Sequence, residues 1–168
     1  EIWNQGYAEE SISWNKETKT LPSLLKNKVV LEIGVGTGKT LLAILRQKPR
    51  KVIAIDFAQN ALDYCKPLVK EHSEVFLMKS NLLSLPFGEK EFDAVVCYYV
   101  LNNLTEKQRN QATSEIFAIL KEKGIVLFED FAVGDFREAG QEKSTESHTF
   151  LKSNGLLCHY FLEEEIKK

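Results

Sequence analysis

Apolar runs alternate with amphipathic stretches along the chain, and this order predicts strands and helices in turn. Val29–Ile33 is β-branched and apolar apart from Glu32, as expected for a strand covered on both faces. A glycine turn follows, and apolar residues then recur at helical spacing until Pro49. Further strands are predicted at 51–56, 75–78, 92–96 and 125–128. The pattern predicts an α/β fold with a mainly parallel sheet of order 3-2-1-4-5.

The segments outside this core have weaker patterns. Residues 1–27 are mostly polar, and we predict two short cap helices there, at 4–10 and 20–26. Residues 131–154 mix glycine, serine and charged residues, which predicts a long lid-like loop. An apolar strand is predicted at 155–162, and Glu163 opens a further helix.

Composition and charge narrow the function classes. A length of 168 residues favours a single domain, 1–168, and the net charge of −2 gives no support for a nucleic-acid partner, although it leaves a local basic patch open. No apolar run reaches membrane-spanning length, so we expect no membrane association. Three widely spaced cysteines predict neither a disulfide framework nor a metal site, and they favour the cytoplasm.

The glycine turn after the first strand predicts a nucleotide-type site. A helix that starts directly after such a turn attracts an anionic group. A dinucleotide turn would need glycine where Lys39 stands, and a phosphate-binding P-loop would need glycine at Ile33. The pattern present is E-x-G-x-G-x-G. Asp56 ends the second strand about twenty residues later, where a carboxylate reaches ribose hydroxyls, and it can also cap the next helix.

Four motifs in order resemble the class I S-adenosylmethionine-dependent methyltransferases, specifically the type 11-like domains. Glu32–Gly38 is similar to their motif I, and Leu85–Phe87 matches their L-P-F, with Asn81 where the family has aspartate. Phe92–Leu104 is similar to F-D-x-V-x-x-x-x-x-L-x-H-L, with asparagine in place of histidine. Leu120–Leu127 resembles L-K-P-G-G without its proline, and Trp3–Tyr7 resembles an N-terminal W-x-x-x-Y segment.

The resemblance implies a Rossmann-like three-layer sandwich, with S-adenosylmethionine as cofactor and S-adenosylhomocysteine as product. Two antiparallel strands that normally close this sheet are missing from the pattern, so we expect the C-terminal strands to be incomplete and the chain to be a fragment or to lack its end. No metal is expected. The implied cofactor-binding residues are Tyr7, Glu32, Gly34, Gly36, Gly38, Asp56, Phe57, Asn81, Leu82, Cys97 and Tyr98.

Methyl transfer by in-line displacement depends mainly on alignment of the two reactants, so no invariant catalytic residue is expected. His159 and Glu129 are candidate bases for an acceptor that arrives protonated, and both are equally explained as structural residues. The expected acceptor is an O, N, S or C nucleophile of a small molecule. Two other classes stay open, namely a non-catalytic cofactor-binding or regulatory module and a dehydrogenase. The sequence leaves the oligomeric state open.

The segment 131–154 is predicted to cover the acceptor pocket and to set substrate choice. It follows the fifth strand, whose carboxyl end lies at the same sheet edge as the glycine turn. Aromatic and polar side chains are concentrated in this segment and in the strand predicted at 155–162, and this mixture suits a polar acceptor with an apolar body. These side chains are Phe136, Arg137, Glu142, His148, Phe150, His159, Tyr160 and Phe161.

Overall fold

A computed structural model describes residues 2–8, 20–138 and 142–167, without the side chains of 6–8, 142 and 143. The helices are α1 (Ile2–Ala8), α2 (Lys39–Leu45), α3 (Gln59–Cys65), α4 (Glu106–Ile119) and α5 (Glu163–Ile166). The strands are β1 (Val29–Ile33), β2 (Lys51–Asp56), β3 (Val75–Lys79), β4 (Phe92–Tyr98), β5 (Leu120–Glu129), β6 (Glu142–Lys143), β7 (Thr149–Leu151) and β8 (Leu157–His159).

The main sheet has five strands in the order β3-β2-β1-β4-β5, all paired in parallel. In its register Val30 lies opposite Val52 on one side and opposite Ala94 on the other. The predicted strand order is therefore confirmed. Because the strands are parallel, their carboxyl ends share one edge, and the residues that follow them are brought together there.

Helices cover both faces of this sheet, and the alternation of side chains along β1 shows how. Val30 belongs to a buried cluster with Leu41 and Ile44 of α2, whereas Leu31 belongs to a second cluster with Ile116 of α4. Successive side chains of a strand point to opposite faces, so one continuous apolar run serves both layers. The predicted three-layer α/β sandwich is confirmed.

The N-terminal segment agrees with the predictions only in its first helix. Two hydrogen bonds fasten α1 to α3, since the Asn60 amide donates to Asn4 Oδ1 at 3.0 Å and Asn60 Nδ2 donates to the Asn4 carbonyl at 2.7 Å. These bonds hold the N-terminus of the described chain beside the carboxyl ends of the strands. The second predicted cap helix, at 20–26, is wrong.

Residues 20–26 are irregular because tertiary contacts hold the backbone. Leu21 and Leu25 are buried in the core, and the Gln47 side chain both accepts from the Leu25 amide and donates to the Pro22 carbonyl, each at 2.9 Å. A helix of this length has little stability of its own, so burial and these hydrogen bonds decide the conformation.

The predicted lid-like loop contains more regular structure than its composition indicates. Strands β6, β7 and β8 form a separate antiparallel sheet, in which Phe150 lies opposite Cys158. Phe150, Cys158 and Tyr160 make a third buried cluster that Phe131 partly covers. The strand predicted at 155–162 is limited to β8, and the helix predicted after it forms as α5. Within the described ranges, the main sheet ends at β5 on this side.

The described helices include none with the length and apolar character needed to cross a bilayer. Cys65, Cys97 and Cys158 are all buried free thiols. In the described parts of the chain, no group of three or more histidine, cysteine, aspartate or glutamate side chains is arranged to hold a metal ion.

Candidate functional site

A cavity of about 500 Å³ opens at the carboxyl ends of the parallel strands. Its volume lies in the range of small-molecule and cofactor sites. One end of the cavity is lined by the glycine turn, the end of β2, and Asn81 and Leu82 after β3. The other end is lined by residues that follow β4 and β5. The lining residues include Trp3, Gly34, Gly36, Asp56, Phe57, Asn81, Leu82, Tyr98, Tyr99, Asn103, Phe131 and Arg137.

The three glycines of the turn have different roles. All three have positive φ angles, of 76° at Gly34, 51° at Gly36 and 77° at Gly38. A Cβ at Gly34 would lie 2.5 Å from Val100 Cγ2, and one at Gly38 would lie 2.8 Å from Leu68 Cδ1. The positive φ angles together with these close contacts favour glycine at 34 and 38. Gly34 and Gly36 line the cavity, whereas Gly38 caps α2 behind it.

Asp56 ties the turn to the next helix. Its Oδ2 accepts from the Gly36 amide at 3.1 Å, and its Oδ1 accepts from the Ala58 amide at 2.9 Å, just before α3. The side chain is buried, and burial raises its pKa above the usual range despite these hydrogen bonds. Asp56 also lines the cavity, so capping and contact with a ligand are compatible.

Glu32 lies beneath the turn and does not line the cavity. It is 1% exposed, and neither of its carboxylate oxygens has a hydrogen-bond partner among the residues that the structure describes. Burial, and then the neighbouring Asp56 carboxylate, raise the pKa of Glu32 well above its usual value. A protonated Glu32 avoids the cost of two buried anions side by side. Its predicted direct contact with a cofactor is therefore not supported by its position.

The other predicted cofactor residues divide between the cavity and the core. Phe57, Asn81, Leu82 and Tyr98 line the cavity. Asn81 Oδ1 accepts from the Leu83 amide at 3.0 Å, so this side chain also shapes its own turn. Cys97 is 1% exposed and contributes to the core rather than to the cavity lining. Tyr7 has a side chain outside the described residues, whereas Trp3 of the same segment lines the cavity.

Aromatic side chains from two strand ends form the other end of the cavity. Tyr99 follows β4 and Phe131 follows β5, and their ring centroids are 5.1 Å apart. The guanidinium of Arg137 lies 5.0 Å from the Phe131 centroid, and the Lys152 ammonium lies 5.7 Å from it. An aromatic surface with cations beside it suits a planar, polar ligand.

Two carboxylates, those of Glu129 and Asp130, accept hydrogen bonds from the residues that carry these rings. The Tyr99 hydroxyl donates to Glu129, and the Tyr99 amide donates to the Glu129 carbonyl at 2.8 Å. Asp130 accepts from the amides of Asn102 and Phe131 at 3.0 and 2.9 Å. Burial raises the pKa of Asp130 to about 7. These bonds fix the backbone that presents Tyr99 and Phe131 to the cavity.

The two candidate bases, His159 and Glu129, contact other residues of the protein and do not line the cavity. His159 is 1% exposed, lies outside the cavity lining and has its Nδ1 2.8 Å from the Thr149 hydroxyl. Burial, and then the Arg109 charge, lower the pKa of His159, which favours the neutral ring. Glu129 does not line the cavity, and its carboxylate accepts from the hydroxyl of Tyr99, which does. Of the side chains predicted to surround an acceptor, Arg137 lines the cavity, Phe150 and Tyr160 are buried in the third cluster, and that of Glu142 lies outside the described part of the chain.

Sequence reasoning missed Tyr99, Asn103 and Phe131 as lining residues. Tyr99 has a φ of 57°, which is unusual for a bulky side chain and marks a position where functional sites often store strain. Their positions along the chain could have indicated this, since Tyr99 follows β4 directly and Phe131 lies two residues after β5, and the ends of these strands share one sheet edge.

Comparisons with known proteins agree with this geometry. The family described as "Methyltransferase domain" matches residues 30–124. A Methanosarcina mazei SAM-dependent methyltransferase structure has a TM-score of 0.74 at 21% identity, over 88% of this chain and 82% of that one. A Burkholderia thailandensis 1,6-didemethyltoxoflavin-N1-methyltransferase structure with S-adenosylhomocysteine has a TM-score of 0.75 at 21% identity, over 98% and 72%.

Two curated relatives are tRNA enzymes by name. The Drosophila melanogaster tRNA N(3)-methylcytidine methyltransferase Mettl2 is 26% identical over 86% of this chain and 48% of its own length. The Saccharomyces cerevisiae tRNA(Thr) (cytosine(32)-N(3))-methyltransferase is 26% identical over 83% of this chain and 24% of its own length. The chain thus spans half or less of the length of these two relatives.

Proposed function

The chain belongs to the methyltransferase domain family, and we propose that it methylates a ring nitrogen of cytidine in tRNA with S-adenosylmethionine as methyl donor. The predictions of a class I methyltransferase and of its cofactor are confirmed by the family match. The dehydrogenase alternative is not supported. The observation that carries the acceptor proposal is the aromatic end of the cavity, joined to the glycine turn in one continuous space.

Our prediction of a small-molecule acceptor is wrong. Several curated relatives that match more than four fifths of this chain, the Drosophila and yeast enzymes among them, are named as tRNA cytidine methyltransferases, which makes RNA the acceptor to consider. The net charge of −2 argued against a nucleic acid only as an average over the chain. The distribution of charge over the surface, rather than its sum, decides whether a polyanion can bind.

The residues at the glycine end fit the cofactor. Gly36 leaves room for a ligand to approach the backbone, and Asp56 offers carboxylate oxygens beside the same turn. Phe57 and Leu82 supply apolar surface where an adenine ring would need it. When bound, S-adenosylmethionine supplies an electrophilic methyl group carried by a sulfonium. These residues would hold it at the glycine end of the cavity.

The acceptor chemistry explains why the site needs no general base. The N3 atom of neutral cytosine has a lone pair and no proton, so its bond to the methyl carbon forms as the carbon–sulfur bond breaks. The positive charge then passes to the base. Aromatic faces and the Glu129 carboxylate bonded to Tyr99 favour a cation at this end, whereas Arg137 and Lys152 oppose one. The absence of His159 from the cavity is compatible with such a reaction.

A base inside an RNA must be turned out of its stack before it reaches the cavity. Enzymes that act on bases compensate by stacking the extruded base between aromatic or apolar side chains. Tyr99 and Phe131 offer such faces, and Arg137 and Lys152 lie where a flanking phosphate could be contacted.

The proposal is tested with the purified chain, methyl-labelled S-adenosylmethionine and a threonine tRNA transcript. We expect 3-methylcytidine after digestion to nucleosides. The matched control is the same transcript with uridine at position 32, the position named for the yeast relative. Cofactor binding without any labelled RNA would contradict tRNA as the acceptor.

A substitution at Phe131 tests the role of the acceptor end of the cavity independently of cofactor binding. Phe131→Leu keeps apolar volume but removes the aromatic face, so we expect kcat/KM for tRNA to fall by roughly 10- to 100-fold, about 1–3 kcal/mol of stacking. The Kd for S-adenosylmethionine should stay within about twofold. Phe117→Leu, at a phenylalanine that is 69% exposed on α4, is the control. Equal rates for the two variants would show that Phe131 does not stack on the acceptor.

A further inference from the structure

Two loops at the amino ends of β1 and β2 carry a concentration of positive charge. The Asn27 amide donates to the Lys48 carbonyl at 3.0 Å, and the Arg50 amide donates to the Lys28 carbonyl at 2.9 Å, so the two loops lie side by side. We call the cationic side chains of these loops the basic rim. They are Lys26, Lys28, Arg46, Lys48, Arg50 and Lys51.

The charge of the basic rim is neutralised only in part within the described chain. Lys26, Lys28, Arg46 and Lys48 have no ion-pair partner among the residues that the structure describes. Arg50 lies 3.9 Å from Asp93, but that carboxylate is closer to Lys121, at 2.8 Å, and accepts from the Val29 amide at 2.7 Å.

Two acidic residues adjoin the rim, since the Val29 amide donates to Asp93 Oδ2 at 2.7 Å and the Val52 amide donates to the Glu74 carbonyl at 2.9 Å, and the six cations of the rim outnumber them. Between Lys26 and Lys51 the only acidic residue is Glu32, which is buried under the glycine turn. The whole chain nevertheless has a net charge of −2. The rim is therefore a local excess of positive charge and not a reflection of the average composition.

An exposed aromatic ring adjoins the rim. Phe76 of β3 is 52% exposed, and the Lys51 ammonium lies 5.1 Å from its ring centroid. Clustered cations beside an exposed aromatic side chain are a combination that binds nucleic-acid backbones and unstacked bases.

We propose that the basic rim binds the RNA backbone of the acceptor, at a distance from the base that enters the cavity. This inference rests on the proposed function, because it takes the acceptor to be tRNA. The five residues of β1 separate the rim from the glycine turn, a distance of about 17 Å at roughly 3.3 Å per residue. A folded RNA reaches past this span, whereas a single nucleoside does not.

The rim explains how a chain of negative net charge can select a large polyanion. Contacts with phosphates release condensed counterions, so they strengthen binding without reading the base sequence. The cavity would then select the base, and the rim would favour RNA over a free nucleoside. Neutralising the rim should raise KM for tRNA and leave kcat unchanged.

The test compares two double variants with the same change in net charge. Lys26→Gln/Lys48→Gln removes two rim charges that have no ion pair in the described chain. Lys66→Gln/Lys167→Gln removes two exposed charges that pair with Asp63 and Glu163 instead. Binding to the tRNA transcript is measured by fluorescence anisotropy between about 50 and 200 mM salt, the range over which phosphate contacts change affinity most visibly.

We expect the rim variant to bind tRNA about tenfold more weakly at 0.1 M salt, with its slope of log K against log salt reduced by about 1.8. The control pair should match the wild type, and both variants should keep the wild-type Kd for S-adenosylmethionine. Equal tRNA affinities and slopes for the two variants would overturn the rim proposal while leaving methylation by the wild type intact. A wild type that neither binds nor methylates tRNA would overturn the proposed function itself. Binding of the rim to anionic lipid vesicles in preference to tRNA would also overturn the inference.

Discussion

Gly36→Val is expected to abolish binding of S-adenosylmethionine, with a Kd at least about 100-fold above that of the wild type, or about 2.7 kcal/mol. Gly36 has a φ of 51° and lines the cavity, so a β-branched side chain there is strained and occupies the space that a ligand must enter. Its amide also donates to Asp56, so distortion of the turn would displace that carboxylate as well.

Calorimetry with S-adenosylmethionine measures this effect. Gly88→Val is the matched control, because a Cβ at Gly88 meets nothing within 4 Å. Circular dichroism and the Tm of each variant establish that the fold is retained. A Gly36→Val protein that is folded and binds within twofold of the wild type would show that the turn is not the cofactor site. Gly34→Ala is less informative, since its Cβ would strike Val100 and disturb packing directly.

Asp56→Ala is expected to weaken cofactor binding by about 2–4 kcal/mol, roughly 30- to 800-fold in Kd. The substitution removes the acceptor for the Gly36 and Ala58 amides and the carboxylate that faces the cavity. Asp56→Asn should lose less, because one side-chain oxygen still accepts. Its amide nitrogen would face a backbone donor, however, so binding should not return to the wild-type level.

The same calorimetric titration tests both Asp56 variants. Asp63→Ala, which removes a half-exposed carboxylate on α3, is the control for a loss of negative charge. Equal and negligible losses for Asp56→Ala and Asp56→Asn would assign Asp56 to the capping of α3 alone. A large fall in Tm with unchanged affinity at low temperature would lead to the same conclusion.

Much of the fold was predictable because its determinants are local or follow general rules of chain connection. The run Val29–Ile33 could only be a strand covered on both faces, and helical spacing after the glycines required a helix to follow. Right-handed crossovers then limited the sheet to very few strand orders. The glycine turn and Asp56 were predictable for the same reason, since a strand-end position places them at one edge.

The errors occurred where tertiary contacts outweigh local preference. Residues 20–26 have a helical pattern, yet Gln47 and the burial of Leu21 and Leu25 hold them irregular. The strands β6, β7 and β8 are two or three residues long, so they carry almost no alternation that a sequence could reveal. His159 is polar and lies on a short strand, which made it a candidate base, but its neighbours enclose it away from the cavity.

The sequence by itself determined the class of fold, the sheet order, the glycine turn and the family resemblance, because each depends on spacing along a short stretch of chain. Only the tertiary structure decided which side chains form the acceptor end and where the positive charge lies. Tyr99 and Phe131 are more than thirty residues apart, and their rings meet only because β4 and β5 pair in parallel. Lys28 and Arg50 likewise become neighbours through the pairing of β1 with β2. A net charge sums over the chain, whereas a phosphate responds to the cations within a few ångströms of it.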